Sequence, residues 1–120
     1  MAKYFTREEF VCQYTGTNEI KDEFIEKLDE LREACGFPFI ITSGYRSPSH
    51  PIEAKKKIAG QHSKGHAADI KVVDGTQRYR LVQKAIELGF SGIGVSRSFV
   101  HVDTRDWGSD SVTPVMWTYS

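Results

Sequence analysis

The residues whose types could do chemistry together are His62, Asp69 and His101. Two imidazoles and one carboxylate leave the fourth position of a tetrahedral zinc ion open, the donor set of a catalytic site that keeps a place for water. His62 and Asp69 stand seven residues apart, with Gly65 and Ala67 between them. Gly65 lets the backbone turn from a loop-borne His62 into a strand bearing Asp69, and small Ala67 leaves room on the face it shares with Asp69. In Phe99-Val100-His101-Val102-Asp103 the period of two puts Asp103 on the face of His101. There its carboxylate is expected to act as general base on the metal-bound water or to orient a ligand. A rival pair is His62 and His66, four apart as in H-E-x-x-H sites, but Ser63 replaces the glutamate and Gly65 weakens any helix there. His66 is therefore expected to point away from the ion or to line the substrate cleft. A His or Asp near a turn is also commonly a plain hydrogen-bonded surface group, so the spacing by itself leaves both readings open.

Several elements must position these groups. Phe5 to Phe10 reads as a short helical turn with Thr6 as N-cap and Glu9 completing a capping box, both phenylalanines facing the core. From Glu19 to Ala34, Ile20, Phe24, Leu28 and Leu31 form the apolar stripe of an amphipathic helix, stopped by Gly36 and Pro38. Phe39 to Thr42 reads as a buried strand, followed by a long turn-rich loop through Ser43-Gly44-Tyr45-Arg46-Ser47-Pro48 and a lysine-rich stretch to Gly60. Ala67 to Val73 is a second strand. A second helix is expected after it, capped by Thr76, with Tyr79, Val82, Ala85 and Ile86 inward and Gly89 at its end. Ile93–Val95 and Phe99–Asp103 flank Ser96-Arg97-Ser98 as a hairpin, and Val115 to Tyr119 can form a last strand. Helices and strands mix without βαβ alternation. The expected fold is a single α+β domain, a small, mostly antiparallel sheet packed with two main helices.

Composition limits the function classes. The 120 residues carry sixteen charges of each sign, with 39% hydrophobic and 27% charged residues, as in an ordinary soluble domain. A nucleic-acid partner is not expected, because the only cationic cluster, Lys55 to Lys57, is short. The opening MAKYFTREEF has no apolar run, so neither a secretory signal nor a transmembrane segment is expected, and the chain is read as made in the cytoplasm. Cys12 and Cys35 are read as reduced, buried thiols, with a disulfide between them as the alternative for an oxidising compartment.

The segments LDELREACGFPFIITSGYRSP, QHSKGHAADI and FVHVDTR, in this order, resemble the zinc D-Ala-D-Ala carboxypeptidase family of hedgehog/DD-peptidase fold and its small phage and bacterial members. FTREEFVC resembles the opening of many such members. The resemblance implies one Zn²⁺ held by His62, Asp69 and His101, and an active-site role for Arg46. It also implies a substrate: peptide bonds of peptidoglycan stems, cut by a carboxypeptidase or an endopeptidase such as a phage endolysin. A monomer is expected, reaching the wall by phage lysis or virion delivery. Arg46 would stabilise an oxyanion or grip a carboxylate, its plainer role being an ion pair that anchors the loop. One departure stands out. Many members carry Glu or Asp three residues before the last zinc His, where this chain has Ser98. Serine is no water-activating base at neutral pH, so Asp103 is the expected substitute. Ser98 also keeps open a non-catalytic zinc-binding module, the use hedgehog domains make of this fold. Tyr45, Trp107, Trp117 and Tyr119 could line the cleft, Trp107 foremost.

Overall fold

A computed structural model describes residues 3–50, 52, 61–62, 64–105 and 113–119. The chain begins with a 3-10 turn, Arg7–Phe10, whose Glu9 carboxylate accepts the Thr6 amide at 3.1 Å, the expected capping contact. Phe5 and Phe10 are both buried, with their rings edge to face. Helix α1, Asp22–Cys35, buries Phe24, Leu28 and Leu31 and ends at Gly36 in the left-handed conformation. It starts at Asp22 instead of Glu19: Lys21 is extended, at φ −83° and ψ 136°, its carbonyl accepts the Phe24 and Ile25 amides as the N-cap, and its amide donates to the Gly65 carbonyl at 2.8 Å. That last bond ties the extended segment before the helix to the turn that follows His62.

The strands are β1 (Ile41–Ser43), β2 (Ala67–Lys71), β3 (Gly92–Val95), β4 (Phe99–Asp103) and β5 (Val115–Thr118), with helix α2 (Gly75–Glu87) between β2 and β3. They form one sheet in the order β1-β2-β4-β3-β5, antiparallel throughout except for the parallel pair β3–β5. This is the expected α+β architecture with a mostly antiparallel sheet. β1 is shorter and less buried than its β-branched run suggested. It is an edge strand, and Ile40 beside it is exposed. β2 stops at Lys71, and Val73 is exposed as the chain leaves for α2.

Helix α2 departs from its expected cap and stripe. Asp74, not Thr76, is the N-cap, and its carboxylate accepts the Gln77 amide at 2.8 Å. Leu81 and Ala85 are buried, whereas Tyr79 and Ile86 are 72% and 56% exposed. The cause is Arg78, which shares a face with Leu81 and Ala85 and donates to the Ser96 carbonyl at 3.0 Å and to that of Arg97. Anchoring Arg78 on the β3–β4 turn swings Tyr79 and Ile86 outward.

The core lies between the helices and one face of the sheet, where Ile70, Ile93, Val100 and Val102 meet Phe24, Leu28, Leu31, Leu81 and Ala85. Strand alternation turns the neighbouring residues, Asp69 and His101 among them, to the opposite face. Among the described residues no helix is long and apolar enough to cross a membrane. Cys12 and Cys35 are free and buried. The lysine-rich stretch and Trp107 lie outside the described residues.

Candidate zinc site

Strand pairing places Asp69 of β2 directly opposite His101 of β4, and His101 opposite Gly94 of β3. The third group, His62, comes from a turn. Its ring Nδ1–H donates to the Gly44 carbonyl at 2.7 Å, while its own carbonyl accepts the Arg46 and Gly65 amides. Gly44 is fixed in turn by close packing, since a Cβ there would fall 2.6 Å from Phe10 Cα, and the Tyr45 amide bonds the Phe10 carbonyl. The N-terminal 3-10 turn thus seats the backbone that orients His62. Gly65 makes the expected turn at φ 79°.

His62, Asp69 and His101 are all buried, and one ligand atom of each lies within 4.8 Å of the others. His62 Nε2 is 3.3 Å and His101 Nδ1 3.0 Å from the same Asp69 oxygen, Oδ1. The other nitrogen of each ring is already committed as a donor, His62 Nδ1 to Gly44 and His101 Nε2 to Asp103 Oδ2 at 2.7 Å. In their neutral forms both rings therefore aim a lone pair at a carboxylate oxygen. That arrangement is repulsive unless a cation or protons lie between, and it is the donor chemistry zinc requires. Burial opposes ionisation of Asp69, but with protons on the facing ring nitrogens the hydrogen bonds from His101 and His62 outweigh it and hold the carboxyl well below the usual range. Burial lowers the His101 ring's affinity for a proton, and Asp103 with Asp69 more than restores it, leaving its pKa raised.

The triad opens onto a cleft of about 530 Å³ whose lining includes Arg46, Phe99, Arg105, Trp117 and Tyr119. Arg46 donates from Nε to Ser43 Oγ at 3.2 Å and sets Nη2 3.7 Å from Asp69 Oδ2. Asp103 is fully buried and does not line this cleft. Besides His101, it receives the Arg105 amide, Nε and Nη2 at 3.0, 2.9 and 2.7 Å. These bonds hold its carboxyl well below the usual range against the effect of burial. An acceptor so engaged is poorly placed to take a proton from water in the cleft, and its contact with His101 fits the other role expected of it, orienting a ligand. Ser98 is exposed in the β3–β4 turn, with its carbonyl accepting the Val72 amide.

With this geometry in place, comparison with known families is decisive: the model of the family described as Peptidase M15 matches residues 3–103. The chain belongs to the Peptidase M15 family. This is a family of zinc-dependent metallopeptidases, and the His62-Asp69-His101 group of this M15 member could bind the metal. No curated protein matches the chain.

Of the aromatic residues named from sequence, Trp117 and Tyr119 reach the M15 cleft, whereas Tyr45 is 3% exposed and bonds Glu19 at 2.8 Å. His66 stands apart from the triad, half-buried and bonded to Gln61. Sequence reasoning gave no role to Arg105, nor to Gly92 and Gly94. The visible signal was the alternation of the two glycines, which marks one strand face stripped of side chains beside the His101 strand.

Proposed function

We propose that this protein is a zinc peptidase that hydrolyses peptide bonds of peptidoglycan stem peptides, with one ion on His62, Asp69 and His101. The observation that carries this reading is the pair of imidazole nitrogens, His62 Nε2 and His101 Nδ1, converging on one buried carboxylate oxygen of Asp69 beside an open cleft. Held by these three residues, a zinc ion would supply Lewis-acid chemistry, a lowered pKa for water and polarisation of the scissile carbonyl. The protein's own groups do the rest. Gly44 and Asp103 hold the ring protons of His62 and His101 and so fix which nitrogens face the ion. Arg46 stabilises negative charge on the scissile carbonyl oxygen or binds a substrate carboxylate. Trp117 and Tyr119 flank the bound peptide and limit its access to water. Carboxypeptidase and endopeptidase action share this chemistry, and delivery to the wall by phage lysis or a virion is part of the same proposal.

The test is zinc content of the wild type and His62→Ala, with hydrolysis of purified peptidoglycan and mass analysis of the products. One zinc per wild-type chain, lost together with hydrolysis in the variant, is the expected result. Zinc without hydrolysis would turn the reading to a zinc-binding module, which the enclosure of Asp103 by His101 and Arg105 favours. A gain of hydrolysis in Ser98→Asp would then mark the missing base. No zinc in the wild type would refute both.

A further inference from the structure

Arg105 and Trp117 both lie beyond the residues matched by the family, Trp117 on strand β5. They close a ring of contacts around His101. His101 Nε2–H donates to Asp103 Oδ2 at 2.7 Å, and Asp103 takes two side-chain bonds from Arg105. The Arg105 guanidinium lies over the Trp117 ring at 4.7 Å, and the Trp117 ring packs on the His101 imidazole with centroids 5.2 Å apart. The two glycines of β3 make this ring possible. A Cβ at Gly92 would fall 2.2 Å from an Asp103 oxygen and 2.5 Å from Arg105 Nε, and one at Gly94 would fall 2.6 Å from Trp117 Nε1. β3 thus serves as a bare floor on which groups from its two neighbours meet.

We infer that Arg105 and Trp117 are positioning residues for the metal centre: together they hold Asp103 and the His101 ring so that Nδ1 faces the ion, which makes strand β5 part of the zinc site. The physics is specific to these groups. A bidentate Arg fork fixes a carboxylate's plane as well as its charge, and a guanidinium stacked on an indole cannot swing away from that carboxylate. Asp103 then keeps the proton on Nε2, and Trp117 blocks rotation of the ring toward the space above Gly94. Carboxylates behind a ligating imidazole tune metal affinity in this way. The inference rests on the zinc reading above.

Its test is Co²⁺ affinity of the full chain, measured by chelator competition and by the visible spectrum of the bound ion, for wild type, Arg105→Lys, Trp117→Ala and Trp117→Phe. Melting of each metal-free variant monitors folding. Arg105→Lys and Trp117→Ala are expected to weaken binding about 10- to 100-fold and to alter the spectrum, with Trp117→Phe recovering most of both. A merely structural role would lower the melting temperature and leave the spectrum unchanged. Wild-type affinity and spectrum in folded Arg105→Lys and Trp117→Ala would overturn the inference while leaving the metal centre intact. Should Trp117→Ala fail to fold, Arg105→Lys decides alone. Failure of the wild type to bind Co²⁺ would overturn the zinc reading itself, and this inference with it.

Discussion

Gly65 joins two demands at a single residue: its φ is 79°, and a Cβ there would fall 2.4 Å from the Glu19 carbonyl oxygen. Gly65→Ala is expected to destabilise the fold by about 2–4 kcal/mol in urea titrations, from left-handed strain and backbone overlap together. The two cysteines diverge in their ionisation. Burial pushes the Cys12 thiol up, but the Thr15 hydroxyl and the Ser47 amide outweigh it and bring it down to about 7. Burial pushes Cys35 up to about 11, only partly offset by Arg80, Lys84 and Arg32. For Cys12 the folded pKa lies below the unfolded one. Its contribution to stability therefore grows as pH rises from about 7 to about 9 and is lost as pH falls through 7. Cys35 has the opposite sign: its contribution is intact below about 9 and lost as pH rises towards 11. Thiolate absorbance of the folded protein, compared with Cys12→Ser and Cys35→Ser, should show one ionisation near neutrality and the other only in strong base. His62, Asp69, His101 and Arg46 were legible as a set because their types and order resemble a known pattern. Arg105 was not, because its partner Trp117 is brought to it by a parallel strand pairing that no local spacing encodes.

Among the elements, α2 shows where periodicity falls short. Its sequence offers two apolar stripes, and the arginine at position 78 selects one by reaching the β3–β4 turn. Leu81→Ala should therefore destabilise by about 2–5 kcal/mol, whereas Ile86→Glu should stay within about 0.5 kcal/mol of wild type. The cap assignment is checked in the same way: Asp74→Ala is expected to lose about 0.5–2 kcal/mol and Thr76→Ala much less. Thermal or urea unfolding of the four variants measures all of these. Helix α1 was readable almost to its ends because a single stripe and a glycine stop agree. Its start was missed because the chain is still extended at Lys21, where it meets the Gly65 carbonyl, a contact between distant parts of the chain. The hairpin β3–β4 was equally legible, being local, whereas the order of strands in the sheet was not.

At the scale of the whole molecule, the candidate metal ligands come from a turn and two strands that are remote in sequence, so an ion bound to all three stabilises the folded state alone. Free zinc at a hundredfold excess over its dissociation constant adds about 2.7 kcal/mol, which for a chain of this size raises the melting temperature by about 10 °C. Chelation should reverse the rise in the wild type, and His62→Ala should melt alike with and without zinc. The facing of Asp69 and His101 has one more consequence. They are one rung of the β2–β4 ladder, in which neighbouring rungs point to opposite faces. A slip of β4 by a single residue would set Val100 or Val102 across from Asp69 and send the His101 ring into the apolar interior. Were zinc captured during refolding, it would act as a proofreading signal: only chains whose strands have paired in step could keep the ion, and the rate of zinc retention would count correctly aligned molecules as they form.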